Sequence, residues 1–154
     1  MQIRKAKLED IKKIIALNQK LFDYEYLNFD KTLDCNWPSK NKKYFKKCIT
    51  NKNSLTLIAI ENNKIVGYFI GAINKTEDYR NITKIAEGEN TYILPKYQRK
   101  GIGTQFYKRF LEWAKSKGVN RIKTVVSKKN KQSLNWNKKL GFECYNIVLE
   151  KELK

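Results

Sequence analysis

Residues 92–118 constrain the fold more than any other stretch of the chain. Tyr92-Ile93-Leu94 closes an apolar run with strand character, and Pro95 stops it. The short basic loop Lys96-Tyr97-Gln98-Arg99-Lys100 leads into Gly101-Ile102-Gly103-Thr104. From there Ile102, Phe106, Phe110 and Trp113-Ala114 recur at helical spacing, and Gly118 sits where a helix cap belongs. A strand that turns through glycines into an amphipathic helix must pack that helix back onto a sheet.

The rest of the chain reads in the same terms. Residues 2 to 6 form a short strand, and 8 to 22 a helix with Leu8, Ile11, Ile15 and Phe22 on one side. The pattern then dissolves between Asp23 and Asp34 into an acidic, aromatic segment. Pro38-Ser39 starts a basic helix that runs to about Thr50. Strands from Leu55 to Glu61 and Lys64 to Asn74 are joined by a tight Asn62-Asn63 turn, and a third runs from Thr83 to Leu94. Beyond the clear helix lie a strand from Arg121 to Ser127, a helix from Asn130 to Leu140 capped by Gly141, and a last strand from Phe142 to Leu149. The order is β-α-α-β-β-β-α-β-α-β. It implies an α/β (α+β) protein with a mixed, mostly antiparallel twisted sheet, helices on both faces, and one domain over residues 1–154.

The glycine loop is suited to an anion. Glycines let a ligand approach the backbone, while the free N–H groups and positive end of the helix favour phosphate. No G-x-x-x-x-G-K-[ST] exists, and Phe106 stands where a dinucleotide fingerprint needs its third glycine, so ATP and NAD chemistry lose support. The chain contains no histidine, which removes Ser-His and Cys-His pairs and imidazole metal ligands. Cys35, Cys48 and Cys144 form no C-x-x-C, so neither a zinc site nor a disulfide framework is indicated. No metal is expected. The first residues lack a leader-like apolar region and no segment is apolar enough to cross a bilayer, so a soluble cytoplasmic protein is expected, with no membrane partner.

The net charge of +18 comes from 33 basic against 15 acidic residues. Lys supplies 28 of the 33, beside 16 Asn and 16 Ile, residue types that share A/T-rich codons. Most of the excess is therefore read as compositional, and Arg, the better phosphate fork, occurs only five times.

Gln98-Arg99-Lys100-Gly101-Ile102-Gly103-Thr104 resembles the Q/R-x-x-G-x-G/A pyrophosphate loop of the GNAT superfamily of N-acetyltransferases, and Ile93-Leu94-Pro95 resembles the end of that family's fourth strand. Downstream, Asn130 through Leu140-Gly141-Phe142 is similar to its N-x-x-A…G-F block, with Ser133 in place of Ala. The resemblance implies acetyl-CoA as cosubstrate. It makes the Gln98, Arg99, Lys100, Gly101, Ile102, Gly103 and Thr104 segment the pyrophosphate cradle, with Ile93 and Leu94 along the pantetheine arm and Asn130 and Ser133 contacting the arm from the next helix. Fourth and fifth strands that splay apart to admit the arm, and homodimers, are also features of that family.

Acetyl transfer to an amine needs a base, because an alkyl ammonium has a pKa of about 10.4. Period-two alternation puts Glu87, Glu89, Thr91 and Ile93 on one face. Among them Glu89 matches the strand glutamate that serves as base in diamine and related acetyltransferases. The family's tyrosine acid, four residues before the glycine of the G-F pair, is here Asn137, an amide with no proton to give near neutrality. Protonation of the departing thiolate is left to solvent or to another tyrosine such as Tyr92 or Tyr145. The other readings are that it departs uncoupled, or that activity is weak or lost.

Within Asp23 to Asp34 four acids face one Lys, a net −3 that leaves +21 on the remainder. In the resembled family this region helps build the acceptor site, which implies a cationic primary amine: a polyamine, a basic peptide or an aminoglycoside-like molecule. The bland alternative is a solvated loop whose acids pair with nearby lysines. A competing class is a nucleic-acid-binding module, suggested by Lys42-Lys43-Tyr44-Phe45-Lys46-Lys47 and by Tyr97 to Lys100. With no nucleic-acid motif present, that partner is not favoured.

Overall fold

A computed structural model describes residues 1–153 of the chain. Five strands form one sheet in sequential order: β1 (Gln2–Lys5), β2 (Ser54–Glu61), β3 (Lys64–Lys75), β4 (Lys84–Ile93) and β5 (Ile122–Thr124). The first four are antiparallel neighbours and β5 runs parallel to β4. Five helices accompany them: α1 (Ile11–Asn28), α2 (Trp37–Lys40), α3 (Lys42–Thr50), α4 (Ile102–Ser116) and α5 (Lys131–Lys139).

Alternation along β2 and β3, shifted by one where Val66 is an extra residue opposite the Ala59–Ile60 step, sorts the core into two layers. Leu55, Leu57, Val66 and Phe69 face α4 and meet Phe106, Phe110 and Ala114. Ile58, Tyr68 and Ile70 face the other way, onto Ile14 and Leu17 of α1 and Phe45 of α3. Phe45, Phe106 and Phe110 are essentially inaccessible to solvent, so each contributes roughly 2–3 kcal/mol of apolar burial. The mixed, mostly antiparallel sheet with helices on both faces is the expected architecture. Asn62 and Asn63 have φ of 47° and 58°, the two left-handed residues that a tight hairpin turn requires.

Several boundaries differ from the sequence reading, each for a local reason. α1 continues to Asn28 rather than ending at Phe22, because Tyr24 to Leu27 contain no breaker. Phe22 stacks on Trp37 at 5.6 Å, and Gln19 Nε2 donates to the Cys35 carbonyl at 2.7 Å, so the start of the acidic segment is tied down as helix. The basic helix is broken at Asn41, whose Nδ2 bonds the Trp37 carbonyl, and becomes α2 and α3. β5 stops at Thr124, not Ser127. Residues 142–149 are not a strand: they join no ladder among the described residues, and from 143 to 153 every position is exposed.

The most consequential departure lies in β4. Its register against β3 passes from Gly88 opposite Gly71 to Asn90 opposite Ile70, leaving Glu89 as an extra, bulged residue. The bulge shifts the alternation by one. Tyr92, not Ile93, packs toward α1 and α3, while Ile93 packs toward α4. Glu89 therefore does not share a face with Thr91 and Ile93, as strict period-two counting predicts.

Candidate active site

Two features of β4 meet at its C-terminal half. The parallel ladder to β5 spans only Ala86, Glu87 and Gly88, so from Glu89 onward β4 has no partner strand on that side. Residues 89–93 thus line an open gap that leads to the glycine loop. Pro95 to Tyr97 form one tight turn, and Gln98 Nε2 donates back to the Ile93 carbonyl at 2.8 Å, fixing the loop against the strand end.

The loop itself has an uncommon backbone. Arg99 has φ 58° and Gly101 has φ 80°, two left-handed residues separated by one. For a bulky side chain such as Arg that conformation is unfavourable, and alternation of this kind turns successive N–H groups toward one concavity. Gly101 caps α4 without a side-chain hydrogen bond, and no acid occupies the first turn. The N–H groups of Ile102, Gly103 and Thr104 have no acceptor among the described residues, as the first turn of a helix leaves them. Together with the positive helix end they form a donor set for a phosphate-bearing group.

The two glycines serve different ends. Space around Gly101 is open, so its requirement is conformational. A Cβ on Gly103 would lie 3.2 Å from Trp136 Cζ2, so Gly103 lets α5 approach α4. Trp136 is a packing residue, edge-on to Tyr107 at 6.4 Å.

On the α5 side, Asn130 caps the helix, its Oδ1 accepting from the Ser133 N–H at 3.0 Å. Asn137 is buried, and its Nδ2 donates to the Ser133 carbonyl at 2.9 Å and to Ser133 Oγ at 3.3 Å. Both amide hydrogens are thus engaged within the helix. Tyr145 is held elsewhere, its ring 4.7 Å from the Arg121 guanidinium and 5.2 Å from that of Arg80. Since Arg121 pairs with Ala86, Tyr145 sits seven β4 residues from Ile93, roughly 23 Å along the strand. Tyr92 faces α1, where burial and the nearby Tyr24 push its hydroxyl up.

Glu89 has a partner that the sequence did not disclose. Tyr44 of α3 donates its hydroxyl to Glu89 Oε2 at 2.7 Å and accepts from Asn90 Nδ2 at 3.0 Å. Consecutive side chains reach one hydroxyl only because of the bulge. Burial, then the neighbouring Cys48 and the Glu89 carboxylate, push the Tyr44 hydroxyl far up, so it stays protonated and remains a donor. Asn90 also lies 3.5 Å from Asn18 Nδ2, which donates to the Tyr68 hydroxyl at 2.7 Å, continuing the network into α1. Phe45 is core, Tyr44 is bonded to Glu89 and edge-on to Trp37, and Lys96 and Lys100 both lie over the Tyr97 ring. The aromatics that suggested nucleic-acid stacking are therefore occupied.

At the α1 end of this network, Glu25 is partly buried, and burial followed by Asp30 pushes its carboxyl up. Asp30 and Asp34 accept from Thr32 and Asn36 within turns, and Asp23 accepts from Gln19. None of the four acids pairs with a lysine among the described residues. Two clefts of about 480 and 510 Å³ lie among β1, α3, β2 and the end of α4, and neither includes a residue of this site. No group of three or more His, Cys, Asp or Glu among the described residues is placed to hold a metal ion.

Residues 18–142, which take in the network, the open strand gap and the loop, match the acetyltransferase (GNAT) family. The chain belongs to that family. Its relatives include an uncharacterised N-acetyltransferase of Methanocaldococcus jannaschii, 28% identical over 83% of this chain. The match covers 56% of that relative, so the chain spans about half of its length. Among solved GNAT-fold structures, a Clostridium acetobutylicum protein described as a predicted acetyltransferase, crystallised with acetyl-CoA, superposes with a TM-score of 0.79. It is 25% identical, with 98% of this chain and 95% of that one covered. An aminoglycoside 6′-N-acetyltransferase from Acinetobacter haemolyticus gives 0.78 at 18% identity, over 100% of this chain and 99% of that one. No helix among the described residues is long and apolar enough to cross a membrane.

Proposed function

We propose that residues 1–154 form one acetyl-CoA-dependent N-acetyltransferase domain whose acceptor is a cationic primary amine. The observation that carries the cosubstrate is the alternation of left-handed Arg99 and Gly101 at the uncapped N-terminus of α4, set at the mouth of the β4/β5 gap. Gln98 to Thr104 hold the pyrophosphate through backbone N–H groups. The arm lies along Ile93 and Leu94, and Asn130 and Ser133 border it from α5. The Clostridium neighbour, similar over nearly its whole length, was crystallised with acetyl-CoA, which supports this reading.

Glu89 acts as the base. With Oε2 bonded to Tyr44, Oε1 takes the acceptor's proton, directly or through one water. The amine then attacks the thioester carbonyl, and the oxyanion is met by backbone N–H near Ile93. Asn137 spends its hydrogens on Ser133, so the departing thiolate takes its proton from solvent. Glu25 and the unpaired acids around it attract the acceptor's further positive charge, which supports a polyamine, basic peptide or aminoglycoside-like amine over a neutral one.

The test is free-thiol release from acetyl-CoA with a panel of amines matched in length but differing in charge. Higher kcat/KM for polycations, falling in Glu25→Gln, is the expected result. Equal or better rates on neutral amines would remove the acceptor assignment while leaving acetyl transfer intact.

A further inference from the structure

Asn18 is out of place in an apolar core. α1 buries Ile11, Ile14 and Leu17, and Asn18 lies among them at 0% exposure. Its Oδ1 is buried and has no hydrogen-bond partner among the described residues, while its Nδ2 donates to the Tyr68 hydroxyl at 2.7 Å and faces Asn90 Oδ1 at 3.5 Å. A buried amide oxygen without a donor is costly, and folded proteins hold few such groups without a reason. An apolar side chain would fill this place in α1 without that cost.

The orientation of the amide supplies the reason. Tyr68 alone does not set it, because a hydroxyl donates or accepts and would be served equally well by Oδ1. Asn90 does set it, since the Oδ1 it presents accepts only from the Nδ2 end of Asn18. Asn90 is turned that way because its own Nδ2 donates to the Tyr44 hydroxyl at 3.0 Å, and Tyr44 spends its proton on Glu89 Oε2 at 2.7 Å. Donors therefore run in one direction, from Asn18 to Asn90 to Tyr44 to Glu89. The cost of starting the chain is the Asn18 oxygen left without a donor.

We propose that Asn18 is a positioning residue for acetyl transfer: by holding the Asn90 amide it keeps the Tyr44 proton on Glu89 Oε2 and leaves Oε1 for the acceptor. The proposal rests on the reading of Glu89 as the base. Asn18 touches no reacting atom and acts only through Asn90 and Tyr44. Its link to Asn90 is the longest of the chain, as such contacts are before the substrates bind and tighten them. Without Asn18, the Asn90 amide is free to turn its Oδ1 toward Tyr44. The Tyr44 proton then has two acceptors to choose between and is diverted from Glu89.

The experiment is a double-mutant cycle of Asn18→Leu and Tyr44→Phe, with Glu89→Gln alongside, reading Tm and steady-state kinetics on acetyl-CoA with spermidine as the probe amine. Asn18→Leu is expected to stay folded and to lower kcat roughly threefold to tenfold with KM for acetyl-CoA unchanged. In the Tyr44→Phe background it should have no further effect, because the chain is already cut. Unchanged kcat in Asn18→Leu beside a slow Glu89→Gln overturns the proposal and leaves the base in place, whereas unchanged kcat in Glu89→Gln removes base and proposal together. Losses that multiply in the double variant also overturn it, since Asn18 would then act by another route. If Asn18→Leu fails to fold, Asn18→Leu/Tyr68→Phe, which makes both members of the buried pair apolar, replaces it with the same outcomes. If spermidine is not acetylated, hydrogen exchange of the Asn90 side-chain amide decides. Exchange roughly tenfold faster in Asn18→Leu, with the β4 backbone amides unchanged, supports the proposal, and equal exchange refutes it.

Discussion

Glu89 illustrates how one backbone irregularity sets the chemistry available to a side chain. The bulge that leaves it without a β3 partner also brings Asn90 to the same face, and Tyr44 bridges the two. Replacing Glu89 by Gln is expected to lower kcat by roughly 10²-fold or more, with little change in KM for acetyl-CoA. Tyr44→Phe, which keeps the ring but loses its donor, should cost roughly threefold to tenfold in kcat. Steady-state kinetics on a single amine checks both, and equal kcat in the Glu89→Gln variant would remove Glu89 from the mechanism. Glu89 was readable as a candidate from its place on a strand before Pro95. Tyr44 was not, because its partner lies 45 residues away and its neighbours Lys42, Lys43, Lys46 and Lys47 disguise a core-facing helix as a basic run. The signal present was Trp37, Tyr44 and Phe45 at spacings that place all three on one side of adjacent helical turns.

Elements were legible where hydrophobic period and punctuation agreed, as in β2, β3 and α4, and their ends shifted where tertiary contacts decided. α1 outran its apolar pattern because the stack of Phe22 on Trp37 and the tie from Gln19 hold its later turns. β4 defeated strict alternation because a bulge carries no local sequence mark beyond Gly88. The close approach of α4 to β3 gives a sharp prediction: a Cβ on Gly71 would fall 2.5 Å from Phe110 Cε2. Gly71→Ala should therefore cost roughly 1–3 kcal/mol, measured by denaturant unfolding.

A second prediction concerns the turn between β1 and α1. Burial pushes the Asp10 carboxyl up, but the Arg4 guanidinium, bidentate at 2.8 and 3.1 Å, and the Lys7 N–H outweigh it and hold the carboxyl below its usual value. A depressed native value contributes stability that is fully present above the unfolded carboxyl value of about 3.9 and is lost as pH falls through the native one. Arg4→Met should cost roughly 1–3 kcal/mol at neutral pH and move acid unfolding to higher pH. Unfolding midpoints measured from pH 2 to 7 check this.

At the scale of the whole molecule, the sheet, its two helical layers and the loop that opens α4 all converge on the end of β4. That convergence was visible in the sequence as a strand, a proline, a basic run and two glycines in order. What was not visible is that Gly103 serves the packing of Trp136 while Gly101 and Arg99 shape the loop, since spacing alone does not separate close approach from left-handed backbone. Nor did composition show that the C-terminal residues stay off the sheet of their own chain. Two charges are set apart in the proposed reading: the basic run Lys96, Arg99 and Lys100 leads into the loop that opens α4, while acids without lysine partners among the described residues lie on α1 and the turns that follow it. Calorimetric titration of acetyl-CoA into wild type and Gly101→Ala tests the central claim, that the Arg99–Gly101 loop holds the pyrophosphate. Micromolar binding to wild type is expected, weakened at least tenfold in a Gly101→Ala variant that stays folded, because a Cβ disfavours the left-handed backbone there. Absence of binding heat and of any rise in Tm at millimolar acetyl-CoA, or equal affinity in the two proteins, would contradict it.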